Sequence, residues 1–339
     1  MKKVLKIIGI IFLVLIIILG ILAIKGYIES RQPVYEDDYY IDFKSDSELE
    51  MKYSKLGDYE VAYEEHESDN KSIKKIRIWY PKELENNDTE YPMIVVVNAS
   101  GVPAFRYEPF FKRLASWGFI VVGNEDGQSG KGETTSITLD YMLNIPNDSK
   151  LYNKIDKENI GIIGYSQGGA GALRAVTEFE NGKYYKAIFT GSAAYPFLAN
   201  NMGWSYDTSK IKIPYFMTAG TGKSDDAGND SSKEFGGVAP LSSLIENYNK
   251  ISDDVFKVRA RSVGTEHENM LEKTDSYMTA WMLYQLKNDE EAGKVFIGED
   301  AELLNNKNWQ DVEKKNNRKI KILGKCKNSP FLYYNVTRD

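Results

Sequence analysis

The chain has 339 residues, 42% of them hydrophobic and 27% charged, which is enough apolar material for a core of its own at this length. One cysteine, Cys326, and two histidines exclude a disulfide framework and a Cys/His metal cluster. The net charge of −6 is uneven: residues 1–31 carry Lys2, Lys3, Lys6, Lys25 and Arg31 against Glu29, so the remainder is more acidic than the whole, which argues against a nucleic-acid surface.

Residues 7–24 form an uninterrupted run of 18 uncharged residues dominated by Ile and Leu. As a helix it would extend about 27 Å, close to the hydrocarbon thickness of a bilayer. Three lysines precede it, which predicts a cytoplasmic start and an extracytoplasmic body. A single membrane anchor over residues 1–25 is the expectation. A cleaved signal peptide is the alternative, although the apolar stretch is long for one and no clear A-x-A site follows. A core helix would not be apolar on every face. Residues 26–55, where Tyr alternates with Asp, Glu and Ser, read as a stalk leading into the catalytic domain, which is expected over 56–339.

From there strands and helices alternate. Residues 73–80 alternate apolar and polar, the pattern of a half-buried strand. Residues 93–98 and 119–123 are continuous apolar runs, as in strands covered on both faces. Further strands are predicted at 160–164, 186–190, 213–219 and 255–263, and helices at 110–117, 170–180, 241–250 and 275–286. This order predicts an α/β fold with a mostly parallel central sheet and helices on both faces.

The chemistry concentrates at residues 160–169, where a buried strand runs into Gly164-Tyr165-Ser166-Gln167-Gly168 and a small-residue helix follows. This is G-x-S-x-G in the context the motif requires, a strained strand-to-helix turn that lifts a serine hydroxyl above the sheet. Gly164 and Gly168 leave room where a Cβ would collide, and the helix N-terminus favours negative charge beside Ser166. A serine hydroxyl needs a base. His267, just after the last strand, is the candidate; His66, among Glu64, Glu65 and Glu67, reads as an exposed loop residue. The acid should follow the strand at 213–219. Asp225 is the first choice, Asp226 the alternative by one residue of register, and Asp230 the third. The loop 225–230 is rich in oxygen ligands but lacks EF-hand spacing, so no metal is expected. Oxyanion donors are expected from the backbone of Gln167 and of Ser100, with Ala99 as the alternative to Ser100.

These residues resemble the dienelactone hydrolase, chlorophyllase and polyester-hydrolase (cutinase-like) branch of the α/β-hydrolase superfamily. The resemblance runs from Tyr91-Pro-Met-Ile through the stretch 111–122, residues 155–169 and the helix 279–287, covering about 73–300. It implies the α/β-hydrolase fold and a serine esterase with a Ser–Asp–His triad and no cofactor. Three features depart from it: Asn98 stands where many relatives have a His-Gly pair, the nucleophile is serine rather than the cysteine of true dienelactone hydrolases, and the acid loop is long. About twenty residues separate the strands ending at 190 and beginning at 213, too few for a large helical lid. An open site acting on exposed or bulky esters is therefore expected, with Tyr195, Phe197 and Trp204 either lining the acyl side or packing in the core. A peptidase or cell-wall acyltransferase with the same triad, and a non-catalytic surface-binding protein, are the alternatives. Nothing in the sequence speaks to oligomeric state.

Overall fold

The apolar runs form the centre of one twisted sheet in the computed structural model, which describes residues 2–229 and 234–316 and, within residues 2–14, only the side chain of Phe12. The elements in chain order are α1 (Lys2–Glu29), α2 (Glu48–Tyr53), β1 (Val61–Glu67), β2 (Lys75–Pro81), β3 (Tyr91–Val97), α3 (Glu108–Ser116), β4 (Ile120–Asn124), α4 (Glu133–Leu143), β5 (Ile155–Tyr165), α5 (Gln167–Thr177), β6 (Tyr185–Gly191), α6 (Pro196–Asn201), β7 (Tyr215–Gly220), α7 (Leu241–Lys250), β8 (Lys257–Ser262), α8 (Met270–Lys287) and β9 (Trp309–Lys315). Two further short helices lie between α8 and β9. The strand order is β1-β2-β4-β3-β5-β6-β7-β8-β9. Strands β3 to β8 are parallel, β2 and β9 run against them, and β1 pairs antiparallel with β2.

Every residue of β3 is buried, as a strand covered on both faces must be. Its side chains alternate between two cores. Ile94 and Val96 join Phe110 and Phe111 of α3 and Trp281 and Met282 of α8. Met93, Val95 and Val97 join Leu139 of α4, Leu173 of α5 and Tyr248 of α7. The helices on both faces thus hold the parallel strands with their C-terminal ends at one edge, where loops carry the site.

The expected loop around His66 is corrected. Residues 61–67 are the edge strand β1, whose alternating half-buried and exposed pattern comes from charged residues facing solvent. The His66 side chain is largely covered; its Nδ1 meets Tyr141 Oη at 2.6 Å, and its Nε2 pairs with Glu64. Neither partner belongs to the strand-to-helix turn at residues 164–168.

Residues 26–55 divide. Up to Pro33 they are exposed; from Val34 they lie against the body. Arg106 Nε donates to Gln32 O at 2.9 Å, Val34 N donates to Arg106 O at 2.8 Å, and Tyr39 Oη donates to Asp275 Oδ2 at 2.6 Å. Glu50 of α2 is buried and accepts from Asn306, Asn308 and Trp309. The run 7–24 lies within α1, partly on side chains outside the described residues. Among the described residues no helix is long and apolar enough to cross a membrane.

Candidate active site

Strand β5 ends at Tyr165 and α5 starts at Gln167, leaving Ser166 between them with φ 57° and ψ −123°. A β-carbon on a serine at positive φ is strained, and such strain concentrates at functional turns. The turn is held from three sides: Ser166 N donates to Gly191 O of β6, and Ser166 O accepts from the Gly169 and Ala194 amides, each at 3.0 Å. The two flanking glycines are sterically required. A Cβ on Gly164 would stand 2.2 Å from Gly168 O, and one on Gly168 would stand 2.2 Å from Val97 O.

Above this turn, His267 Nε2 lies 2.9 Å from Ser166 Oγ, and His267 Nδ1 lies 2.7 Å from Asp225 Oδ1. With Nδ1–H donating to the carboxylate, Nε2 is unprotonated and can accept from the serine hydroxyl. Asp225 is fully buried, and its second oxygen is not left bare: Oδ2 accepts from Gly220 N at 2.7 Å and from the Ser192 hydroxyl. Asp226 is engaged elsewhere, in an ion pair with Arg261 Nη1 at 2.7 Å and as acceptor for Leu241 N. Asp230 lies outside the described residues.

The loops bearing Asp225 and His267 are zipped together. Gly222 N donates to Thr265 O at 2.9 Å, and His267 N donates to Ser224 Oγ at 2.8 Å. The Glu266 carboxylate accepts from the amides of Lys223 and Ser224 and from the Ser224 hydroxyl. The Ser224 hydroxyl and amide hold the Glu266 carboxyl below the usual glutamate range.

The turn after β3 packs against the elbow, since Gly168 abuts both Val97 O and Asn98 O. Asn98, the departure from the resemblance, ties that turn down: its Nδ2 donates to Asn124 O at 2.7 Å and Asp126 O at 2.8 Å. The Ala99 amide is occupied by Tyr107 Oη at 3.2 Å, which leaves Ser100 as the better amide for an oxyanion. Gln167 is the first residue of α5, so its amide has no carbonyl four residues back within the helix to bond.

Four contributing residues escaped the sequence reading. Ser192 follows β6, remote in sequence from Asp225, whose carboxylate it bonds. Ser224 and Glu266 sit beside Asp225 and His267, but only the fold shows that they bind each other. Tyr165, inside the motif itself, stacks on His267 with centroids 5.0 Å apart and planes 24° apart, and its hydroxyl donates to His267 O. Of the three aromatic candidates for the acyl side, Tyr195 is 2% exposed and stacks on Phe197, which is at the surface; Trp204 is half-buried against Gly130. The segment between β6 and β7 holds only the six-residue α6 and one 3₁₀ turn. Among the described residues, no group of three or more His, Cys, Asp or Glu is placed to hold a metal ion.

A serine hydroxyl on a strained turn, an imidazole within hydrogen-bond reach of it, a buried carboxylate behind the imidazole and two candidate oxyanion amides make an arrangement suited to acyl transfer. The family described as PET hydrolase-like matches residues 55–312, and the chain belongs to it. The mostly parallel sheet with helices on both faces is consistent with the α/β-hydrolase fold. Lipase 1 of Moraxella sp. (strain TA144) is 37% identical over 71 residues, which is 20% of this chain and 21% of that lipase. The match therefore spans about a fifth of either protein.

Proposed function

We propose that this member of the PET hydrolase-like family hydrolyses carboxylic esters through an acyl-enzyme on Ser166. The relay from Ser166 Oγ through His267 to Asp225, at 2.9 and 2.7 Å, is the observation that carries the reading. His267 Nε2 takes the hydroxyl proton as Ser166 Oγ attacks the ester carbonyl carbon. The Gln167 and Ser100 amides hold the resulting oxyanion. Its collapse breaks the carbon–oxygen bond to the alcohol, which leaves with the proton from His267. Water, deprotonated by the same imidazole, then attacks the acyl carbonyl and frees Ser166. Asp225 holds the imidazole in the required tautomer and stabilises its cation.

The short span between β6 and β7 supports an open cleft and therefore bulky or polymeric esters rather than buried lipid chains. The family and the lipase resemblance favour esters over amides. We further infer that α1 anchors the enzyme in a membrane with the catalytic domain outside. The uncharged run of residues 7–24 and the basic residues before it support this. Alkaline extraction of the membrane fraction tests it: release of the full-length chain into the supernatant would defeat the anchor.

Replacing Ser166 with Ala should abolish both p-nitrophenyl ester hydrolysis and labelling by a fluorophosphonate. Hydrolysis that survives in Ser166→Ala would overturn the catalytic reading.

A further inference from the structure

We propose that Tyr165 is a positioning residue for His267, fixing the imidazole over Ser166 by gripping both its ring and its backbone. The inference rests on the reading of His267 as the base. Tyr165 is the last residue of β5 and precedes the nucleophile directly, so its Cα is held by the parallel sheet. His267, by contrast, stands on a loop that leaves β8 through Gly264 at φ 68° and opens a single 3₁₀ turn. A histidine on such a loop has to be fixed from outside it, because misplacement of about 1 Å in a catalytic relay can cost on the order of 100-fold in rate.

The contacts on His267 meet this need from each side. Its amide N–H is bound to Ser224 Oγ at 2.8 Å. Its carbonyl accepts from the Met270 amide, closing the turn, and from the Tyr165 hydroxyl. The Tyr165 ring lies stacked on the imidazole, 5.0 Å between centroids. A phenol on a strand end therefore bridges the serine's own neighbour to the histidine's own peptide group. Any movement of the His267 loop away from Ser166 breaks this hydrogen bond and unstacks the rings together. Burial pushes the Tyr165 phenol well above its ordinary value, so it remains a donor throughout the range in which the enzyme would work. The stacked ring also offers its face to the imidazolium that forms during attack.

The experiment compares Tyr165→Phe, which keeps the ring and loses the hydroxyl, with Tyr165→Leu, which loses both. Two readouts are needed: steady-state hydrolysis of p-nitrophenyl acetate, and the second-order rate of inactivation by a small sulfonyl fluoride, which reports serine activation without engaging an extended substrate. For Tyr165→Phe, kcat and the inactivation rate should fall together by about five-fold, the loss of one neutral hydrogen bond, with KM for the small ester unchanged. Tyr165→Leu should lower both further. A thermal melt close to the parent's shows that the variants fold. If both rates hold in Tyr165→Phe and Tyr165→Leu, Tyr165 does not position the imidazole and the proposal is wrong. That failure is distinct from failure of the catalytic reading, which would appear as hydrolysis by Ser166→Ala.

Discussion

Asp225 and Asp226 are adjacent in the chain yet have unrelated partners: Asp225 Oδ1 is bound to His267 Nδ1, while Asp226 Oδ2 is bound to Arg261. Asparagine at position 225 would offer the histidine an amide in place of an obligate acceptor and would favour the wrong tautomer. Asp225→Asn should lower kcat by roughly 10³ to 10⁴-fold, the scale seen when the acid of a serine triad is neutralised. Asp226→Asn should leave kcat within about two-fold and cost about 1–3 kcal/mol of stability, since Arg261 is largely buried and would keep only Asp311 as its carboxylate partner. Ester kinetics and denaturant melts on the two variants check this; the reverse pattern would move the acid to position 226.

The elbow makes a steric prediction with an internal control. The Cβ of Gly164→Ala would meet Gly168 O at 2.2 Å, and that of Gly168→Ala would meet Val97 O at 2.2 Å. Both obstacles are backbone, so no side-chain rotation relieves them. Each variant should lose about 3 kcal/mol or fail to accumulate folded. Gly191, across the same sheet from Tyr165, has its nearest neighbour at an ordinary 3.5 Å. Gly191→Ala should melt close to the parent. Equal tolerance at all three positions would contradict the described geometry.

What could be read from the sequence follows from where the information is local. Strand β3 and residues 160–164 of β5 were legible because a strand buried on both faces must be apolar throughout or glycine, whereas the charged start of β5 was not, and Ser166 was legible because its turn needs two glycines at fixed spacing. Strand β1, with the sequence VAYEEHE, was missed because an edge strand facing water carries no apolar alternation, and β9, WQDVEKK, for the same reason. Helix α4 is rich in Thr and Ser, poor helix formers that only its packing keeps helical. The choice between Asp225 and Asp226 rested on loop register, which the Gly220 amide sets by bonding the Asp225 carboxylate. Ser192 left no local trace, because a hydroxyl becomes a partner of Asp225 only once β6 and β7 lie side by side.

Glu266 gives a pH prediction. Its folded-state pKa is lowered by hydrogen bonds from the Ser224 hydroxyl and amide and from the Lys223 amide. A depressed carboxyl pKa means that the folded state binds the proton less well than the unfolded chain. The contribution is therefore fully present above the ordinary glutamate range and fades as the pH falls through the lowered folded value. Glu266→Gln should be less stable than the parent at neutral pH, with the gap closing in acid below the glutamate range. Because the residue is exposed, the effect on melting should be small. The larger consequence should be slower fluorophosphonate labelling of Ser166 at neutral pH, since the same carboxylate zips the acid loop to the histidine loop. A stability gap that widens in acid would show the sign to be wrong.

The buried pair of Arg113 and Asp275 ties the amino-terminal segment to the helix that follows His267. Arg113 on α3 binds the Asp275 carboxylate and Thr279 of α8, and its Nη1 donates to Tyr53 O at 2.7 Å and Lys55 O at 3.1 Å. Tyr39 donates to the other Asp275 oxygen. Both ionised side chains are almost wholly buried, so neither can fall back on water if the other is removed. Arg113→Met should therefore cost about 3–5 kcal/mol, mostly from the carboxylate left behind. Removing that carboxylate as well, in Arg113→Met/Asp275→Leu, should recover a large part of the loss, because a buried ion pair owes little net stability to its charges. Tyr39→Phe, which deletes one hydrogen bond to a charged group, should cost about 1.5–3 kcal/mol. Denaturant melts of the three variants give the comparison. If the double variant is less stable than Arg113→Met alone, the pair itself, and not the stranded charge, is what stabilises the junction between α3, α8 and residues 39–55.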